Sequence, residues 1–147
     1  MINYRWGFSL KGFIIFLLPM IPNLLYFLMP ELYITSGDAV NSHVILDVLE
    51  HGSQVIFVFM IIFIIRKQDY NNICSYTVGM AIILLLYYGF WFSYFIGKSS
   101  LIILLAMAIL PVIYFILAEI WLNNYLAIIP TIIFGIAHVI VTYMDFS

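Results

Sequence analysis

The sequence predicts an all-α membrane bundle of five transmembrane helices, with the N terminus cytoplasmic and the C terminus outside. Three observations predict it. Apolar residues make up 66% of the 147-residue chain and charged residues only 8%, whereas a domain that folds in water carries roughly a quarter charged residues. Those apolar residues, with a mean hydropathy of +1.17, gather into five stretches, each close to the ~20 residues that a bilayer core requires. The cationic residues are also asymmetric. With the N terminus inside, Arg5, Lys11, Arg66 and Lys67 are cytoplasmic and only Lys98 lies outside, as the bias of Lys and Arg toward cytoplasmic loops demands.

The first span is expected near Phe8 to Met29. Arg5 and Lys11 ahead of an apolar run resemble a secretory signal. The run is nevertheless too long for a signal core, Pro19 and Pro22 interrupt it, and no A-x-A site follows, so the segment is expected to be retained. A polar loop with Glu31, Gly37 and Asp38 leads to the second span, Val44 to Ile65, which ends at the charged stretch Arg66 to Asn72. The third span, Ile73 to Ile96, is separated from the fourth, Leu101 to Leu122, only by the turn Gly97 to Ser100. Asn123 and Asn124 separate the fourth from the fifth, Tyr125 to Tyr143. Connections this short make spans 3, 4 and 5 antiparallel neighbours. Aromatics fall at both interfaces of this topology, with Tyr4, Trp6, Trp121 and Tyr125 inside and Tyr94, Tyr143 and Phe146 outside. Pro19, Pro22, Pro111 and Pro130 lie within spans and are read as kinks packed against neighbouring helices. With no internal repeat or linker, residues 1–147 form one transmembrane domain of a multi-pass cell-membrane protein.

Composition excludes several functions. Five scattered cations cannot form the basic stripe that nucleic acid requires. The lone Cys74 has no partner for a disulfide or a CxxC pair, and no G-x-S-x-G, P-loop or dinucleotide fingerprint occurs. The expected partners are the lipid bilayer and either further copies of the chain or a partner membrane helix; no cofactor is named by any motif.

The functional signal is a polar stripe on the second span: His43, Asp47, Glu50, His51 and Gln54. At 100° per residue they occupy an arc of about 100°. Val55 to Ile65 covers only about 16 Å of a core near 30 Å thick, which places Glu50, His51 and Gln54 within the hydrocarbon depth. Bilayer thinning or a watery vestibule is the alternative setting. Counting from the outer end of each span, Glu50 and His51 lie roughly 10 Å deep, Asn23 about 9 Å and His138 about 8 Å. A charge facing lipid costs at least about 2.5 kcal/mol, so these groups are expected to turn inward and meet. Tyr87, Tyr88, Trp91 and Ser93 reach nearby depths, and the apolar outer half of span 4, Leu101 to Leu110, reads as lipid-facing or as a dry wall. Glu119 stands apart near the cytoplasmic end of span 4. It is read either as snorkelling to the headgroups or as a second proton-binding station.

Four uses of the cluster remain open. Imidazole changes charge near neutral pH, so Asn23, Asp47, Glu50, His51, Gln54 and His138 form a candidate site for binding or moving a proton, cation or small solute. Alternatively, Asp47, His51 and His138 are metal ligands, with Glu50 as general base, in an enzyme acting on lipid or an outer-leaflet substrate. A third use pairs His51 and His138 as axial ligands of haem. The fourth is noncatalytic, the stripe gripping a partner helix in an assembly or accessory protein.

Overall fold

The computed structural model describes residues 4–29, 44–66 and 75–146. Five helices account for nearly all of it: α1 (Leu10–Leu28), α2 (Val44–Phe63), α3 (Ser75–Phe95), α4 (Leu101–Trp121) and α5 (Tyr125–Phe146). Each is long and apolar enough to cross a membrane, spanning about 30 Å at 1.5 Å per residue. Large side chains such as Leu24, Ile45, Leu85, Ile102 and Ile136 stay exposed around the bundle, where lipid rather than water is their natural solvent. The five-span, multi-pass architecture expected from the sequence is therefore present.

Two short strands were not foreseen. Residues Ile64–Arg66 leave the helical path as β2 and pair antiparallel with β1 (Tyr4–Trp6), Arg5 opposite Ile65. The second span thus ends two residues before the expected Ile65, and the fifth runs on to Phe146 rather than stopping at Tyr143. Three-residue strands are too short to show an alternation, and this pairing joins segments far apart in sequence. Gly7 N–H to the Phe63 carbonyl at 3.0 Å and Ser9 N–H to the Ile62 carbonyl at 2.7 Å extend the join into the helices.

Helix ends follow local chemistry. Ser9 and Ser100 cap α1 and α4, accepting from Gly12 N–H and Ile103 N–H. At the α3–α4 turn Gly97 takes φ +87°, and Lys98 and Gly97 N–H groups return to the carbonyls of Ser93 and Tyr94. The α4–α5 turn repeats this pattern with Asn123 at φ 56°; Asn124 and Asn123 N–H groups bond Glu119 and Ile120 carbonyls. Both are left-handed terminations that satisfy the last free carbonyls of a helix. Asn124 then donates to the carbonyls of Met60 (2.8 Å) and Ile64 (3.3 Å), fastening this turn to the end of α2.

The core is shared by all five helices, and α1, which contributes Ile15, is the most sparsely packed. Phe57, Ile61, Tyr114, Phe115, Ala118, Ala127 and Phe134 form its centre. The prolines of α1 explain how that helix is held. Proline has no N–H for the carbonyl four residues earlier, so Pro19 frees Ile15 and Pro22 frees Leu18. Tyr114 of α4 donates to the Ile15 carbonyl at 3.0 Å, and Tyr88 of α3 donates to the Leu18 carbonyl at 2.5 Å. Each freed acceptor receives a phenol from another helix.

Candidate functional site

Each helix presents one stripe to the bundle interior, and a polar side chain rides on most of these stripes. On α2 the buried residues Glu50, Phe57 and Ile61 recur at spacings of seven and four, so they share one face. The same spacing aligns Met80, Tyr87 and Trp91 on α3, and spacings of three and four align Thr131, Phe134 and His138 on α5. Asn23 follows Pro19 by four on α1. Glu50 and His138 meet: Oε1 and Nδ1 are 2.6 Å apart, the Glu50 side chain nearly buried and that of His138 31% exposed. The His138 ring also stacks on Phe134, centroids 5.1 Å apart and planes 15° from parallel. Packing therefore fixes the imidazole while leaving it open to the space beside it.

That space is a cavity of about 480 Å³ bordered by all five helices, within the usual range for a small-molecule site. Its floor is the aromatic cluster Phe57, Phe115 and Phe134, with centroids of 5.0 and 5.3 Å from Phe57 to the other two. It extends toward the bundle end where Phe27 and Phe146 border it. Asn23, Glu50, His51, Gln54, Tyr87, Trp91 and His138 all line it. Asn23 donates to Tyr87 Oη at 3.1 Å and to the Pro19 carbonyl at 3.2 Å. Leu104, Met107, Ala108 and Pro111 of α4 also border the cavity, so the apolar outer half of that helix supplies a dry wall.

Other expectations are corrected. Asp47 is not among the lining residues, and His51 reaches the cavity from an exposed position. Helix phase is the reason: the inward direction of α2 runs through Glu50, Phe57 and Ile61, leaving Asp47 about 60° and His51 about 100° off it. The polar arc therefore straddles the edge of the buried face. Asp47, His51 and His138 are not assembled as a ligand set; among the described residues no three His, Cys, Asp or Glu side chains converge on a common metal position. His43, Glu31, Asp38, Lys67 and Cys74 lie outside the described residues. Tyr88 and Ser93 turn to backbone carbonyls, of Leu18 and Gly89, instead of the cavity.

The chain matches no protein-family model, no curated protein and no solved structure. The site has to be read from its own chemistry.

Glu119 departs most from the snorkelling alternative. It is fully buried between α4 and α5, with Oε1 in hydrogen-bond contact with Thr131 Oγ1 and no partner on Oε2. Thr131 Oγ1 also contacts the Ala127 carbonyl at 2.9 Å. A threonine hydroxyl has one proton. Both contacts are satisfied when Thr131 donates to Ala127 and Glu119, as the acid, donates to Oγ1. Thr131 was missed in the sequence, although its place one turn before the stripe residues Phe134 and Gly135 marks it as inward-facing.

Proposed function

We propose that the protein binds a cation or small solute in the central cavity and exchanges it against a proton at the Glu50–His138 pair, moving it across the membrane. The single observation that supports this reading is the placement of a carboxylate and an imidazole, from two different helices, in mutual contact on the wall of one cavity. A proton held between these groups stabilises Glu50 as half of an ion pair. A bound cation can take over that role, and the proton then leaves from His138. Transport of this kind needs no nucleophile and no cofactor, only a group whose charge changes near neutral pH. The proposed orientation places the cavity mouth on the non-cytoplasmic side and the aromatic floor between site and cytoplasm.

The test is a cation-for-proton exchange assay in proteoliposomes loaded at acidic pH with a pH-sensitive dye. At least one of external sodium, potassium and tetraphenylphosphonium should alkalinise the lumen in the presence of the wild-type protein. Glu50→Gln should slow that exchange by about tenfold or more, the equivalent of a lost charge-assisted contact. Wild-type vesicles that behave like protein-free vesicles toward every cation would overturn the reading.

A further inference from the structure

The lining of the cavity specifies what kind of solute it takes. Phe16, Phe27, Phe57, Phe115, Phe134 and Phe146 border it together with Tyr87 and Trp91, and Met20 and Met107 fill in between them. Aromatic faces carry negative quadrupole charge, and a cation within about 6 Å of a ring centroid is attracted by ~0.5–2 kcal/mol, most at desolvated sites. Methionine sulfur adds polarizable, adaptable surface. Among the described residues, Glu50 is the only carboxylate on the wall and no Lys or Arg lines the cavity. Of the described cations, Arg5, Lys11 and Arg66 belong to the strand-bearing end, and Lys98 sits on the exposed α3–α4 turn. The chamber is therefore apolar, π-rich and singly anionic.

A hydrated metal cation is poorly served there. It demands several oxygen ligands, usually with more than one carboxylate among them, whereas the described wall offers the Glu50 carboxylate and only neutral oxygens besides, on Asn23, Gln54, Tyr87 and Thr142. A neutral solute would leave Glu50 without a counter-charge whenever His138 is uncharged. An organic anion would meet the Glu50 carboxylate and aromatic faces of the same sign. What fits is a cation whose charge is shrouded in hydrocarbon or aromatic rings, so that its desolvation costs little and its surface stacks on the wall.

We propose that the cavity is a binding site for lipophilic organic cations, of the quaternary ammonium or phosphonium type, with Glu50 as counter-ion and Trp91, Tyr87 and the phenylalanines as the π surface. This identifies the solute class for the exchange proposed above and rests on that reading. Protonated His138 competes with the solute for the same carboxylate. Proton and solute therefore oppose each other at the site, and withdrawing the imidazole proton tightens solute binding. Among the described residues, the other titratable groups facing this carboxylate's cavity are His51 on α2 and Tyr87 on α3. The residues of α1 and α4 on the wall carry none. Protonated His51 at the mouth acts in the same direction as His138.

The experiment is equilibrium binding of tetraphenylphosphonium to the purified full chain, with the isosteric anion tetraphenylborate as the control for shape and hydrophobicity. The cation should bind saturably and at least about tenfold more tightly than the anion, a difference of about 1.4 kcal/mol. Glu50→Gln should erase most of that preference. His138→Gln, which keeps a polar side chain but removes the competing proton, should flatten the dependence on pH, and it carries the test if the Glu50 variant does not fold. Equal binding of both ions, or a preference untouched by both variants, would overturn the assignment. Exchange driven by sodium or potassium in vesicles, with no saturable tetraphenylphosphonium binding, would sink the solute class and leave proton exchange standing. Absence of exchange with any cation, alongside charge-selective binding, would sink transport and leave the site.

Discussion

Single residues in this bundle are explained by the accounting of backbone hydrogen bonds. In hydrocarbon an unpaired carbonyl finds no water, so a proline inside a span creates a debt that a neighbour must meet. Pro19 and Tyr114 are such a couple: the ring removes the N–H that would serve Ile15, and the phenol replaces it at 3.0 Å. Tyr114→Phe should therefore destabilise the protein by about 1–2 kcal/mol, read as a lower thermal midpoint in detergent or vesicles. In a Pro19→Ala background the restored N–H serves Ile15 from within α1, and the same Tyr114→Phe change should cost much less. A double-mutant cycle with no coupling between the two positions would refute the pairing.

At the level of elements, α5 is the helix on which the site depends. It packs extensively against both α2 and α4, and one stripe of it carries Ala127, Thr131, Phe134 and His138. Close approach to α4 requires Gly135, where an added Cβ would stand 2.6 Å from Val112 Cγ1. Valine is branched at Cβ and has few rotamers with which to yield. Gly135→Ala is expected to push the helices apart, at a cost of about 1–3 kcal/mol, and to weaken ligand binding through the shifted His138. Val112→Ala should restore both when combined with it; failure of that rescue in a thermal-melt and binding series would show that the contact does not set the spacing. These packing details also explain what the sequence reveals. Helix positions are legible because lipid imposes length and apolarity on every span, and matched depth alone brought Glu50 and His138 to one level. Facing is less legible. The polar arc of α2 and its buried face overlap only near Glu50, so Asp47 and His51 looked equivalent to Glu50 until neighbours fixed the rotation of the helix. The strand residues Tyr4–Trp6 and Ile64–Arg66 are illegible for another reason, since partners supplied by other elements define their roles, and for Thr131 the facing is legible from its spacing but its contact with Glu119 is not.

For the whole molecule, the two ends of the bundle differ in charge and in construction. The strand pair β1–β2 holds Arg5 and Arg66 at one end, with the Lys11 ammonium 5.4 Å from the Trp121 ring centroid there. At the other end the described groups include Lys98 with Asp47 and Asp145, and the cavity lies in that half. A bilayer orients such a chain through its Lys and Arg, and the fold gathers the three described N-terminal and α2-terminal cations onto a single face. The expected outcome is that the strand-bearing end is cytoplasmic and the cavity opens to the opposite side. In a Cys74→Ser background, cysteine at Ser99 should react with a membrane-impermeant maleimide in intact cells, whereas cysteine at Tyr125 should react only after permeabilisation. Tyr125 is suited to this because it is exposed and begins α5 at the strand-bearing end. The reverse labelling pattern would turn the cavity toward the cytoplasm and reverse the direction of the proposed solute exchange, while leaving the Glu50–His138 contact and the aromatic lining, and with them the proposed selectivity, unchanged.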